Sequence, residues 1–529
     1  MSTSSTRSYH DIRQALLARQ ELALIDVREE APFAQEHPLF AANIPLSKLE
    51  LEIYARVPRR NTAITVYDDG EGLARLAAQR LVALGYSDVA VLEGGLAGWR
   101  EAGGELFRDV NVPSKAFGEL VESVRHTPSL AAEHVQALLE AKADVVVLDA
   151  RRFDEYQTMS IPGGISVPGA ELVLRVAELA PNPTTQVIVN CAGRTRSIIG
   201  TQSLLNAGIP NPVAALRNGT IGWTLAGQAL AQGQAQRFAE VSERTRESAA
   251  QRARSLADRA GVQRLDRQGL AAWQKDDSRT TYLFDVRTPE EYAAGHLPGS
   301  RSTPGGQLVQ ETDHSASVRG ARIVLVDNDG VRANMSASWL AQMGWQVAVL
   351  DGLGAGDFSE TGEWQAPLPA LPEVPEVDVE QLDTWLHEGA TVVLDFTASA
   401  NYVKRHVPGA HWVIRAQLAQ ALEKLPLAER YVLTCGSSLL ARFAVADVQA
   451  LTRKPVHLLK GGTASWVAAG KPLQSGEAHL AVPRSDRYRR PYEGTDNPRE
   501  AMQGYLDWEF GLIAQLGRDG THGFKVLEA

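Results

Sequence analysis

Four copies of one pattern run along this chain, and that repetition constrains its fold more than any other feature. A short apolar segment closed by Asp recurs as ALIDVRE (23–29), VVLDARR (146–152), YLFDVRT (282–288) and VVLDFTA (392–398). About forty residues after each comes a second apolar run: AITVYDDG (63–70), QVIVNCAG (186–193), RIVLVDND (322–329) and RYVLTCGS (430–437). A helical stretch follows, then a third strand and a Gly-rich turn: VLEGGLAGW (91–99), ALRNGTIGW (215–223), VLDGLGAGD (349–357) and LLKGGTASW (458–466). From the first Asp to the closing Trp the spacing is 73, 74 and 71 residues in units one, two and four. Period matching of this kind marks a repeated domain.

Each unit has the rhythm of an α/β domain. Continuous Val/Ile/Leu runs predict strands covered on both faces, alternating with amphipathic helices. In unit two, a helix at 131–143 precedes a strand at 145–150, and a strand at 187–190 feeds a helix at 197–208. The 529 residues exceed what one core can hold, because cores stop growing near ~250–300 residues. The repeat divides them into domains at 1–108, 109–233, 261–366 and 367–478. Residues 234–260, rich in Ala, Arg and Glu, predict a solvated linking helix, and 366–377, with four Pro, a stiff extended connector. The segment 479–529 does not match the repeat; its amphipathic part, 501–516, is expected to pack on a neighbouring domain or on a second subunit.

Composition narrows the function classes. With 63 acidic residues against 53 basic ones, the chain lacks the basic excess of a nucleic-acid binder. No apolar run is long enough to span a bilayer, and the N-terminus lacks the apolar core of a signal peptide, so no membrane partner and a cytoplasmic location are expected. Two cysteines exclude a disulfide scaffold and a four-thiolate zinc site. The histidines show no metal-ligand spacing, so no metal and no cofactor are expected; His296 and His406 read as structural hydrogen-bonding residues in their G-H-L-P-G and R-H-V-P-G turns.

Both cysteines fall on the same position of the repeat. Alignment of the second strands puts Asp68, Cys191, Asp327 and Cys435 in register. A thiolate at the end of a parallel strand, just before a helix, faces free backbone N–H groups and the positive end of the helix dipole. The loop in unit two, Cys191-Ala192-Gly193-Arg194-Thr195-Arg196-Ser197, is short. Gly193 suggests an unusual backbone conformation, and Arg194 and Arg196 are natural partners for a small oxyanion. The N–H groups should lower the thiol pKa and hold an anionic adduct on the sulfur. An Asp in the same cradle, as at Asp68 and Asp327, would fill the anion site permanently.

Cys-x4-Arg on a strand–turn–helix, with Asp149 and Arg151 upstream and Gly222-Trp223 downstream, resembles the rhodanese superfamily. DVRTPEEYAAGHLPGS (285–300) and DARRFDEYQTMSIPGG (149–164) resemble its first signature, and the resemblance extends in four copies to about residue 478. It implies an α/β fold of four tandem rhodanese-like domains, each a parallel sheet flanked by helices. It also implies a sulfurtransferase: Cys191 takes the sulfane sulfur of thiosulfate, sulfite leaves, and the persulfide passes its sulfur to cyanide or a thiol. Asp149 and Arg151 are then scaffold residues, and residues 192–197 bind the substrate. The five-residue step from Cys191 to Arg196 favours sulfur over phosphate or arsenate, whose family members carry one residue more.

Unit four departs from that pattern. Cys435-Gly-Ser-Ser-Leu-Leu-Ala441 has no Arg at the fifth position and is similar to the loop of mercaptopyruvate sulfurtransferases, with Ser438 in place of a glycine. Cys435 takes a different donor, or receives sulfur from Cys191, or is a relic. The expected partners are a small anionic sulfur donor and a thiophilic acceptor, with a homo-oligomer possible. A non-catalytic sulfur- or redox-sensing scaffold is the alternative of a different class, suggested by the two units that lack Cys.

Overall fold

A computed structural model of the chain describes residues 5–528, so residues 1–4 and 529, at the ends of the first unit and of the C-terminal extension, lie outside the description. Four five-stranded sheets are present, all parallel, and each has the strand order 1-5-4-2-3 within its own unit. In the second unit the central strands are Val145–Asp149, Gln186–Asn190 and Val213–Leu216. Their continuous apolar runs form central strands because helices cover both faces, as parallel sheets require.

The register verifies the repeat residue by residue. The Asp that ends each first strand pairs with the residue just before the aligned position: Asp26 with Tyr67, Asp149 with Asn190, Asp285 with Val326, and Asp395 with Thr434. Asp68, Cys191, Asp327 and Cys435 therefore leave their sheets at one equivalent point, the carboxyl end of a central strand. Open α/β sheets bind ligands at such points.

One expectation about the connectors needs correction. The linking helix, Glu243–Arg259, is not solvated: Ala249, Ala253 and Leu256 are buried in the core that also holds Leu172, Val173, Val331 and Met335, and Ala257 is buried in the core of units one and three. Its alanines let it lie close against units two and three, while its Arg and Glu residues cover the outer face. The closing turn of unit three also differs. A Cβ on Gly95, Gly219 or Gly462 would lie 2.3–2.8 Å from the carbonyl oxygen of Asp68, Cys191 or Cys435, whereas unit three carries Leu353 at that position.

One core runs through units one and three, including Ile25, Val66, Ile323 and Leu325, together with Phe117 of the helix Val112–Arg125 and Leu516 and Phe524 of the extension. Unit four has a core of its own. The extension forms helices Arg499–Phe510 and Leu512–Asp519, and the first lies on unit two through Ile221, Met502, Tyr505 and Leu506. No helix among the described residues is long and apolar enough to cross a membrane.

Candidate active site

The Cys191 loop joins the strand Gln186–Asn190 to the helix Thr195–Asn206. Its outward carbonyls are tied to the closing turn: Thr220 N–H donates to Cys191 O (2.9 Å) and Ile221 N–H to Ala192 O (3.0 Å). Gly219 has φ +57°, and its missing Cβ permits this approach. With the carbonyls held outward, the sulfur faces the backbone N–H of Ser197 and its hydroxyl, which lies 3.3 Å from Sγ.

Cys191 is 2% exposed. Contrary to the expectation from the N–H groups alone, burial pushes its thiol above the ordinary value; Arg196 and Ser197 pull it down, and Glu509 adds to the rise. Desolvation of the thiolate outweighs the local donors and the Arg196 charge.

The two arginines of the loop have different surroundings. Arg196 is fixed by two hydrogen bonds to Glu155 (2.7 and 2.9 Å) and acts on the Cys191 sulfur through its charge. Burial alone would raise the Glu155 carboxyl, but Arg196 holds it at about 2. Arg194 is spoken for elsewhere. It donates to both oxygens of Glu119 (2.7 and 2.9 Å), pairs with Glu122 and lies over the Phe510 ring at 4.3 Å. The loop thus keeps one guanidinium beside the thiol and uses the other to anchor itself to the helix Val112–Arg125.

Gly193 has a different role from the one its sequence context suggests. Its φ is not in the left-handed region; instead a Cβ there would meet Tyr505 Cε1 at 3.0 Å and Glu509 Oε2 at 3.4 Å. The C-terminal extension covers the loop at this point. Tyr492, Tyr505 and Trp508 surround Lys115, whose ammonium sits 5.2–5.8 Å from their ring centres and pairs with Asp109 at 2.6 Å. Glu155 and Arg196 also line a cleft of about 780 Å³ that Glu52 and Arg56 of unit one, His314 of unit three, Lys404 of unit four and Tyr492 of the extension complete.

The other three aligned positions follow the chemistry of their residues. Asp68 accepts from Gly70 N–H (3.0 Å) and Ala74 N–H (2.9 Å), and Asp327 from Gly330 N–H (3.2 Å) and Ala333 N–H (2.8 Å). Each carboxylate takes the N–H six residues on, Ala74 or Ala333, the counterpart of the Ser197 N–H that faces the thiol in unit two. Burial, and then Asp329, push Asp327 up to about 7. Cys435 is buried as well; burial raises its thiol, and the N–H groups of Ala441, Leu440 and Ser438 oppose the rise. Ser438 stands in the left-handed region, φ +72°, where glycine is favoured. Gly436 is open, so no extension covers this loop.

Asp149 and Arg151 form a buried, doubly hydrogen-bonded pair below the site (2.9 and 2.7 Å), and Arg151 also donates to Met159 O. Asp26–Arg28 and Asp285–Arg287 repeat it, while in unit four Thr397 N–H serves Asp395. His296 and His406 each bond the carbonyl of a tyrosine four residues earlier, Tyr292 and Tyr402, and stack on its ring. Glu155, Glu119, Tyr505 and Glu509 escaped the sequence reading. Glu155 had a findable signal: Arg332 and Glu291 of unit three stand at the same repeat positions and make the same bidentate pair (2.6 and 2.8 Å). Glu509 had none, since the extension has no counterpart in the repeat.

Comparison with known proteins agrees with this architecture. The family of rhodanese-like domains matches residues 10–102, 131–226, 266–353 and 378–469. The crystal structure of a thiosulfate sulfurtransferase from Pseudomonas aeruginosa is 79% identical, with a TM-score of 0.99, covering 99% of this chain and all of that one. A thiosulfate sulfurtransferase from Azotobacter vinelandii is 27% identical over 207 residues, 35% of this chain and 74% of that protein. An uncharacterised Synechocystis protein is 31% identical over 100 residues, 19% of this chain and 55% of its own length. Four matched domains, four sheets of one topology and one strand-to-loop position used four times make this chain a member of the rhodanese family.

Proposed function

We propose that this protein is a thiosulfate sulfurtransferase in which Cys191 carries the sulfur. The observation that supports this most is the pairing of a buried thiol with one charged, rigidly held guanidinium, Arg196, in a loop whose carbonyls are tied away from the sulfur. The likeness to the Pseudomonas aeruginosa thiosulfate sulfurtransferase across the whole chain supports the choice of donor.

Thiosulfate brings two negative charges into a site with Arg196 and free N–H groups. The Cys191 thiolate attacks the outer sulfur, the bond to the sulfonate sulfur breaks, and its electron pair leaves with sulfite. The persulfide stays in the N–H cradle, which is suited to a buried anion. A thiophilic acceptor, cyanide or a thiol, then takes the outer sulfur and returns the Cys191 thiolate, so that the kinetics are ping-pong. The side chains that act are Cys191, Ser197 and Arg196, with Glu155 positioning Arg196. Ala192, Gly193, Arg194 and Thr195 contribute backbone to the cradle.

A second reading concerns Cys435. Its thiol faces the N–H groups of Ser438, Leu440 and Ala441 in a loop, Cys435–Ala441, that carries no Arg or Lys, which suits a donor other than thiosulfate, such as mercaptopyruvate. Thiocyanate production from thiosulfate and cyanide tests the assignment. Cys191→Ala is expected to abolish it, and Cys435→Ser to leave most of it; full activity in Cys191→Ala would refute the proposal. Repeating the assay with mercaptopyruvate decides the role of Cys435.

A further inference from the structure

The C-terminal extension places one unexplained group on the Cys191 loop. Glu509 is fully buried, yet only one of its carboxyl oxygens has a partner: Oε1 accepts from the Tyr505 hydroxyl at 3.0 Å, while Oε2 has none. That free oxygen lies over Gly193, 3.4 Å from where a Cβ would stand, two residues from the thiol. A buried polar atom without a partner is destabilising, so such atoms call for a reason.

The charges around Glu509 are already spent on one another. The helix Val112–Arg125 brings Lys115, held by Asp109 at 2.6 Å, and Glu119, which takes Arg194 of the loop at 2.7 Å. The loop brings Cys191, and the extension itself brings Tyr505 and Tyr492. Among the described residues no cation forms an ion pair with Glu509; Lys115 and Arg194 oppose its rise only through their charge. Burial, then Glu119, push this carboxyl up to about 8, so near neutrality it carries its proton. A protonated carboxyl is a hydrogen-bond donor, which a carboxylate is not.

We propose that Glu509 acts as a neutral acid that donates to the sulfur anion bound at the Cys191 loop, so that the loop accepts dianions such as thiosulfate only while this carboxyl holds its proton. The inference rests on Cys191 being the sulfur carrier. In the transfer, a bond forms between Cys191 Sγ and the sulfane sulfur, the sulfane–sulfonate bond breaks, and sulfite leaves with the electron pair. Glu509 keeps its proton throughout, and no external oxidant or reductant is consumed. Once ionised, the same group would repel the incoming dianion instead of binding it.

Single-turnover formation of the Cys191 persulfide, followed by mass spectrometry in the full-length protein across neutral to alkaline pH, tests this. Thiosulfate stays a dianion over that range, and ionisation of Cys191 can only raise the rate with pH. Because that rise is common to the wild type and to Glu509→Gln, the ratio of their rate constants at subsaturating thiosulfate isolates the carboxyl: it is expected to fall above about pH 8, by about tenfold per pH unit. Glu509→Gln keeps a donor but cannot ionise, so its own rate should simply rise with the Cys191 thiolate. Tyr505→Phe removes the hydroxyl that favours the carboxylate and should move the fall to higher pH. A wild-type to Glu509→Gln ratio that stays constant through pH 8, or no shift in Tyr505→Phe, would each overturn the inference. Absence of any sulfur on Cys191 at every pH would instead defeat the carrier assignment, and the inference with it.

Discussion

At the scale of single residues, the site depends on which carboxylate each arginine owns. Arg151 belongs to Asp149, Arg194 to Glu119 and Arg196 to Glu155, so the loop contributes only one cation to the thiol. Glu155 is therefore a positioning residue with a measurable signature. Its carboxyl sits at about 2 in the folded protein against an ordinary 4.5, so it stabilises the fold above pH 4.5, and the benefit is lost as pH falls through about 2. Glu155→Gln is expected to lose about 2–3 kcal/mol of stability near neutrality and almost nothing near pH 2, as read by urea denaturation at the two pH values. An equal loss at both would mean that packing, and not the charge of Glu155, explains the effect.

At the scale of elements, the strand–loop–helix is one device used with different residues. Where the loop carries Asp, the carboxylate closes its own N–H cradle. Asp68→Ala should leave the Gly70 and Ala74 N–H groups without their acceptor and cost about 1–3 kcal/mol, measured by thermal or chemical unfolding of the full chain. A neutral outcome would mean that solvent satisfies the cradle. This device was legible in the sequence because the repeat puts four solutions side by side: the strands, the aligned Asp and Cys positions and the Gly-rich closing turns all follow from apolar runs and spacing. Other features were not legible. Gly193 reads as a conformational glycine, but its smallness serves the approach of Tyr505, a contact between residues 312 positions apart. The linking helix reads as solvated because its buried face is made of alanines, which carry little hydrophobic signal yet allow close packing. The thiol's upward shift follows from burial, which local sequence does not encode.

At the scale of the whole molecule, the repeats are held together by contacts no single unit could make. Units one and three share a core, Glu171 of unit two binds Arg332 of unit three at 2.8 Å, and Glu50 of unit one binds Arg415 of unit four at 2.7 Å. The extension closes over the Cys191 loop and leaves the Cys435 loop open. The Cys-less units thus serve as walls: they supply Glu52, Arg56 and His314 to the cleft that Arg196 faces. The two thiols consequently have different surroundings in one chain, one beside a guanidinium under a cap and one among backbone donors in the open. Their chemistry should differ accordingly. Peptide mapping by mass spectrometry after treatment of the full-length protein with thiosulfate measures this directly: the proposed mechanism requires a gain of one sulfur atom on the Cys191 peptide that cyanide removes. A Cys191 peptide that gains no sulfur, with or without an adduct on Cys435, would contradict it.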